Sequence, residues 1–567
     1  MMPPSPSPTD YANPELLEKI PLTAKTVLDV GCRRGALGAA YLRRNPRATV
    51  LGIELNPEDA EAARARLSEV FCGDVEQTPM PFAPEGGIDC IIYGDVLEHL
   101  VDPWAVLAAH ARHLNPGGTV LVCMPNAEHW SMVARLLTGR FDYSDDGLMD
   151  RGHLRWFTPR MMGEALTKAG LELADLAPRP VPNADKAQQF VEAISPALHH
   201  LGIDPRDYLD RAGPLQFIWR ARKAGPARLE IAATMLNPQG GVSDVRVVEP
   251  LRALRTDSAV FGGIGPEADI APTFPGAARI AVLHRPLLLG DSGLARLRAL
   301  IDKGYLVISE FDDHPSFLEQ RGVDVSELMT FKAVHAIQTS TRPLAEALLA
   351  HNPEVAVFPN AIFELPQPAN FTTPDRLTLL FAAINRQDDW APYIGVINEV
   401  ARAVGGRLRI NVLHDQPFFE ALDTPHKQFL PLTDYATYLR VLQDAEISFM
   451  PLEDNLFNRA KSDLKFIEAG AARVCALASP TVYDQSIRDG KTGMMFRDAT
   501  ELRANLLKML AYPEVTRQLA DNARAYVAEN RMLAYQTEAR LTWYRSLWAR
   551  RDELTAALKV RAPELFG

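Results

Sequence analysis

Two sets of residues in this chain have the types and spacing to handle nucleoside-bearing small molecules. The first lies in Thr26-Val27-Leu28-Asp29-Val30-Gly31-Cys32-Arg33-Arg34-Gly35-Ala36-Leu37-Gly38, an apolar run, a glycine turn and a helix start. Gly31 and Gly35 let backbone approach a ligand at a helix N-terminus. About twenty residues past Gly35, the apolar run Ala48 to Ile53 ends in Glu54, placed to accept hydrogen bonds from two ribose hydroxyls. Asp74 and Val75, in Cys72-Gly73-Asp74-Val75, mark a third strand end where a carboxylate could hold an adenine amine. Asp95-Val96-Leu97-Glu98-His99 then supplies a polar mouth, and Gly152-His153-Leu154-Arg155 follows later. His99 is the general-base candidate by type and place, with His153 second. A hydrogen-bonded histidine serving only the fold fits position 99 equally. Arg155 suits an anionic acceptor.

The second set is Gly240, Gly241, Arg386, Lys461, Lys465 and Glu468. A departing nucleoside diphosphate builds negative charge, which cationic side chains and backbone amides stabilise without a metal. Gly240 and Gly241 would bring amides to a pyrophosphate, and Arg386, Lys461 and Lys465 would supply charge. Blander uses exist for each. Lys461 and Lys465, four apart on a helix start, also suit a solvated face, and Glu468 also suits a local cap. Asp312-Asp313-His314 reads as an Asx-type turn or as acceptor contacts. Asp454, Asn455 and Asn458 are candidate sugar contacts.

Positioning these groups requires strands alternating with helices. In the first third the apolar runs are Thr26–Val30, Thr49–Ile53, Ile88–Gly94 and Thr119–Val122. The pattern restarts at Leu229–Met235 and continues through Arg279–His284, Leu306–Phe311, Ala336–Thr341 and Val355–Phe358. It restarts again at Leu377–Ala383, followed by Leu408–His414, Glu446–Pro451 and Val474–Ala478, with a helical tail from Ala499. Such alternation predicts parallel sheets covered by helices on both faces. Arg220 to Pro226, basic and turn-prone, reads as a linker, and Leu365-Pro366-Gln367-Pro368-Ala369 as a hinge connector. Ala187 to His200 is helical in pattern, followed by a loop holding Asp204 to Asp210. His199-His200 reads as a helix end.

The glycine turn, Asp95 to His99, and Gly152-His153-Leu154-Arg155-Trp156-Phe157-Thr158 together resemble the class I S-adenosylmethionine-dependent methyltransferases, in particular the ubiquinone-biosynthesis-type small-molecule branch. The resemblance covers roughly residues 20 to 180. It implies S-adenosylmethionine bound by Asp29, Gly31, Gly35, Glu54, Asp74, Val75 and Asp95. The sulfonium methyl is already activated, so a metal or a protein nucleophile is not expected. Arg33 stands where the family usually has glycine. Gly240-Gly241, Val357 to Ala361, Asn385-Arg386, Lys461 to Gly470 and Asp489 to Phe496 resemble retaining, nucleotide-sugar-dependent GT-B glycosyltransferases over about residues 228 to 545. That resemblance implies retention of configuration and a ribose contact from Glu468. The family's first glutamate is here Ala460, and its lysine after Arg386 is missing, with Asp388, Asp389 and Trp390 nearby.

At 567 residues, a chain of this kind divides into about three domains. A net charge of -11 argues against nucleic acid as a main partner. Five scattered cysteines without metal-ligand spacing read as reduced thiols. The expected fold class is α/β, a Rossmann-like class I methyltransferase domain followed by a GT-B pair. The expected divisions are a disordered lead (1–20), a methyltransferase domain (21–180), a helical cap and linker (181–226), an acceptor domain (227–365), a nucleotide-sugar donor domain (375–545) and a C-terminal helix (546–567). The expected protein is a cytoplasmic bifunctional enzyme using S-adenosylmethionine and a nucleotide-sugar co-substrate on a glycan or glycolipid acceptor in bacterial surface polysaccharide biosynthesis. Trp543, Tyr544, Trp548, Arg550 and Arg551 suit packing or a peripheral contact with the inner membrane. The alternative is a single-activity glycosyltransferase carrying a methyltransferase-like binding module.

Overall fold

The computed structural model describes residues 10–179, 184–235, 241–266, 274–319, 322–324, 328–371 and 376–566. It has two compact units, Met1–Arg228 with Arg255–Val260, and Leu229–Leu254 with Phe261–Gly567.

The first unit is built on one seven-stranded sheet. Its strands are β1 (Thr26–Val30), β2 (Thr49–Glu54), β3 (Glu69–Cys72), β4 (Ile88–Gly94), β5 (Leu114–Pro125), β6 (Glu172–Pro178) and β7 (Gln216–Arg222), in the order β3-β2-β1-β4-β5-β7-β6. The first five run parallel, and β7 pairs antiparallel with both β5 and β6. Alternate residues of β1 and β4 enter different cores. Leu28, Val30, Ile91 and Tyr93 pack on one face of the sheet, and Val27, Cys90 and Ile92 on the other. Burial on both faces explains why these strands read as continuous apolar runs. The side-chain-free position at Gly31 allows the chain to turn beside Val96, whose Cγ2 would lie 2.4 Å from an added Cβ. The helix Ala36–Arg44 then starts from Gly35, at φ 76°.

The expected divisions need correction here. Part of the lead is ordered: Asn13 caps the short helix Pro14–Leu17, and Leu16, Leu17 and Ile20 join the core. Residues 1–9 lie outside the described residues. The basic stretch read as a linker begins as strand, because Arg220 and Arg222 lie in β7 and are buried. Both are neutralised across the sheet, Arg220 by Asp175 and Arg222 by Glu172. Ion pairing conceals a strand inside a stretch whose composition suggests a connector. The first domain therefore continues past residue 180 to Arg222. Asp204 to Asp210 forms the helix Pro205–Ala212, with Asp204 as its N-cap.

The second unit holds two six-stranded sheets. The first comprises β8 (Leu229–Thr234), β9 (Val260–Ile264), β10 (Ala278–His284), β11 (Leu306–Glu310), β12 (Ala336–Thr339) and β13 (Val355–Val357), ordered β13-β12-β11-β10-β8-β9. The other comprises β14 (Leu377–Ala382), β15 (Leu408–Leu413), β16 (Lys427–Leu430), β17 (Ile447–Met450), β18 (Cys475–Ala478) and β19 (Met494–Met495), ordered β16-β15-β14-β17-β18-β19. This second sheet is parallel throughout, as are β8 and β10–β13 of the first. The helix Ala534–Ala549 returns to the earlier sheet, where the buried Tyr544 hydroxyl donates to Gln338 on β12 at 2.8 Å. The fold is thus α/β, a doubly wound Rossmann-like domain followed by two further Rossmann-like sheets. No helix among the described residues is long and apolar enough to cross a membrane.

Candidate functional site

In the first unit the candidate groups gather at the carboxyl ends of β1, β2 and β4, where a doubly wound sheet opens its ligand crevice. Glu54 is the last residue of β2 and is buried. Its two oxygens accept from the Arg33 amide at 2.7 Å and the Asn56 amide at 2.8 Å. The carboxylate is thereby aimed by the backbone around the glycine turn. Arg33 reaches this geometry at φ 48°, in the left-handed region that glycine normally fills. The turn therefore keeps its shape with a bulky residue in place. Asp29, at the end of the buried strand, is 4% exposed, and burial with the neighbouring Glu54 charge pushes its carboxyl up to about 7. Asp74 is turned inward on its own loop, accepting from the Glu76 amide at 2.9 Å and the Gln77 side chain at 3.2 Å. Val75 is buried in the core beside it.

Asp95 follows β4 at φ 56° and accepts from the Gln216 amide group at 2.6 Å. Beyond it, Leu97–His99 is a single helical turn. The His99 ring stacks edge-on with His153, centroids 4.9 Å apart. His99 Nδ1 lies 3.0 Å from the Gly152 carbonyl and His153 Nδ1 lies 3.1 Å from the Leu148 carbonyl. A carbonyl only accepts, so each Nδ1 carries its proton and each Nε2 is left with a lone pair. Packing around the His99 ring pulls its pKa below the usual value, which keeps it neutral and able to accept a proton near pH 7.

Sequence reasoning passed over Glu98, although it lies inside the quoted motif. It is 1% exposed, and neither carboxylate oxygen has a hydrogen-bond partner. Burial, reinforced by Asp95, pushes its carboxyl up to about 8. One ligand atom each from Glu98, His99 and His153 falls within 4.8 Å of the others. A carboxylate with two imidazoles is a donor set that a divalent cation accepts.

In the second unit, a cavity of about 310 Å³ is lined by segments that follow strands of both sheets, including Gly241, Arg285, Arg386, Lys461, Lys465 and Glu468. Five of the six expected donor-site residues thus share one cavity. Gly240 lies outside the described residues. At Gly241, φ is 83° and an added Cβ would meet the Tyr435 ring at 2.6 Å, so the loop lies directly on that ring. The cations are not a solvated face. Lys461 reaches Asp313 at 2.7 Å, and its ammonium stands 4.3 Å from the Phe457 ring centre. Arg386 pairs with Asn458 at 2.8 Å and Asp389 at 3.1 Å. Lys465 donates to the Ala382 carbonyl, and burial lowers its pKa despite the nearby Glu468.

Glu468 is buried, and its two oxygens accept from Tyr435 at 2.9 Å and Tyr438 at 2.8 Å. Burial still raises its pKa, which the two hydroxyls partly oppose. The tyrosines went unnoticed in the sequence, where the signal was their three-residue spacing on a helix, which puts both hydroxyls on one face. Arg285 was also missed. It adopts φ 44° after β10 and bridges Asp312 at 2.5 Å and Asp313 at 3.0 Å. Asp312 and Arg285 therefore form part of a charged wall of the cavity. Among the other polar candidates, Asn458 is occupied internally by Asp389 and the Glu453 carbonyl. Asp454 pairs with Arg459.

Residues 10–176 match the family model described as a methyltransferase domain. The ubiquinone biosynthesis O-methyltransferase of Thiobacillus denitrificans is 32% identical over 165 residues, 28% of this chain and 69% of the relative. The trans-aconitate 2-methyltransferase of Azoarcus sp. is 34% identical over 112 residues, 20% of this chain and 44% of the relative. The chain thus spans less than half the length of that second relative. Among solved structures, TarM aligns with 47% of this chain and 54% of its own at 12% identity and a TM-score of 0.36. A putative methyltransferase from Bacillus halodurans aligns with 37% of this chain and 96% of its own, at 19% identity and a TM-score of 0.25.

Proposed function

We propose that this chain, which belongs through residues 10–176 to the methyltransferase-domain family, transfers a methyl group to a hydroxyl and a sugar from a nucleotide-sugar donor. Both reactions would act on a glycan or glycolipid during bacterial surface polysaccharide biosynthesis. The observation that carries the first activity is the amide-held Glu54 beside the Gly31 turn, with Asp95 at the next strand end. These groups suit a nucleoside ribose and a charged ligand end. Bound there, S-adenosylmethionine would supply the activated methyl group. His99 would take the acceptor proton on Nε2, its other nitrogen being committed to Gly152. Orientation of the acceptor, rather than activation of the methyl, is then the main task of the protein.

The second activity is supported by the convergence of Arg386, Lys461, Lys465 and Glu468 on one cavity. A nucleoside diphosphate would exchange the present partners of Lys461 and Arg386 for its phosphates, and Glu468 would meet ribose hydroxyls. Two reactions on one chain raise the effective concentration of a shared intermediate. Calorimetry with S-adenosylhomocysteine and a thermal-shift screen of nucleotide sugars test the two halves separately. The first should bind, and one nucleotide sugar should shift melting in a manner lost in Lys465→Ala and Glu468→Ala. Binding of S-adenosylhomocysteine without any nucleotide-sugar shift refutes the glycosyl half alone. The converse refutes the methyl half.

A further inference from the structure

On the proposed reading Glu54 meets the ribose of the cofactor, and only Asp95 has so far been set at its charged amino-acid end. At that side of the crevice four elements bring polar groups together. Arg179, just after β6, is partly buried. Its Nη1 donates to the Gln216 side-chain oxygen at 2.5 Å, while Gln216 Nε2 donates to Asp95 at 2.6 Å. Its Nη2 lies 3.4 Å from Glu15, too far for a tight charge-assisted bond. Arg179 Nε and Glu15 Oε2 are both buried without a hydrogen-bond partner. A guanidinium N–H left in that state is costly unless a ligand completes it. The group also adjoins the glycine turn, since Gly31 abuts Val96, the residue after Asp95.

We propose that Arg179, held by Gln216, pairs with the α-carboxylate of S-adenosylmethionine while Asp95 takes its α-ammonium. A cation and an anion linked through one amide side chain present the charge pattern opposite to a zwitterion. Planar guanidinium geometry suits a carboxylate. The antiparallel edge hairpin, formed by β6 and β7, thereby acquires a binding role beyond closing the sheet. Arg33 is the competing cation, because its charge also favours ionisation of Asp95. The assignment rests on the methyltransferase reading.

Calorimetry on the full chain with two ligands tests it. S-adenosylhomocysteine carries the amino-acid end, and 5′-methylthioadenosine has the same nucleoside thioether without it. Arg179→Gln should weaken the first at least tenfold and change the second less than twofold. Arg33→Gly should not reproduce that difference. Should Arg179→Gln fail to fold, Arg179→Lys serves instead, with a smaller loss confined to S-adenosylhomocysteine. Equal losses on both ligands, or none on either, overturn the assignment. If the unaltered chain binds neither ligand, the methyltransferase reading itself has failed, before any variant is compared.

Discussion

Replacing Glu98 by glutamine should stabilise the first unit at neutral pH. The side chain is 1% exposed, its oxygens lack hydrogen-bond partners, and its carboxyl is pushed up to about 8 from a usual 4.5. A carboxyl raised on folding favours the folded state below its unfolded pKa, and that advantage is lost as pH rises towards the folded pKa. Each pH unit between about 4.5 and 8 removes roughly 1.4 kcal/mol. At pH 7 the accumulated penalty is about 3 kcal/mol, an upper figure because Asp95 titrates in the same electrostatic field. Glu98→Gln removes the charge and nearly preserves the shape. Differential scanning calorimetry of the full chain reads the effect on the transition that S-adenosylhomocysteine moves. For a unit of this size the gain at pH 7 corresponds to roughly 5–10 °C. The variant and the parent should converge near pH 4.5. A variant that is less stable than the parent at pH 7–8, or equal to it at every pH, refutes the reasoning, because Glu98 would then be a paired anion.

Arg33 already holds the left-handed conformation of the turn, so Arg33→Gly should alter S-adenosylhomocysteine affinity less than threefold by calorimetry; a tenfold gain would mean that the arginine obstructs the site. Tyr438→Phe removes one of the two donors to the buried Glu468 carboxylate and should cost the second unit about 1.5–3 kcal/mol at pH 8. Glu468 already titrates above its usual value and would titrate higher still without that hydroxyl. The loss should therefore fade towards pH 4.5 in urea unfolding curves, and a pH-independent loss would show that Glu468 is neutral throughout.

The apolar runs and the glycine turn were enough to place β1, β2, β4 and, in the second unit, β8, β10–β15, β17 and β18, because strands buried on both faces must be apolar along their length; β16 and β19 were not read. The positions of Gly31, Glu54 and Asp95 at a turn and at strand tips were legible because they depend on short-range geometry. β7 was hidden, since Arg220 and Arg222 are buried only by virtue of Asp175 and Glu172 on a strand some 45 to 50 residues earlier. Separation in sequence, from 30 to 121 residues, likewise concealed the Arg179–Gln216–Asp95 group and the Tyr435–Glu468–Tyr438 arrangement. Local order along the chain thus determined which segments become strands and which residue types stand at their ends. Only the packed tertiary structure decided which charges meet, because burial and partners at close range, not residue type, set whether a carboxyl such as Glu98 is anion or acid.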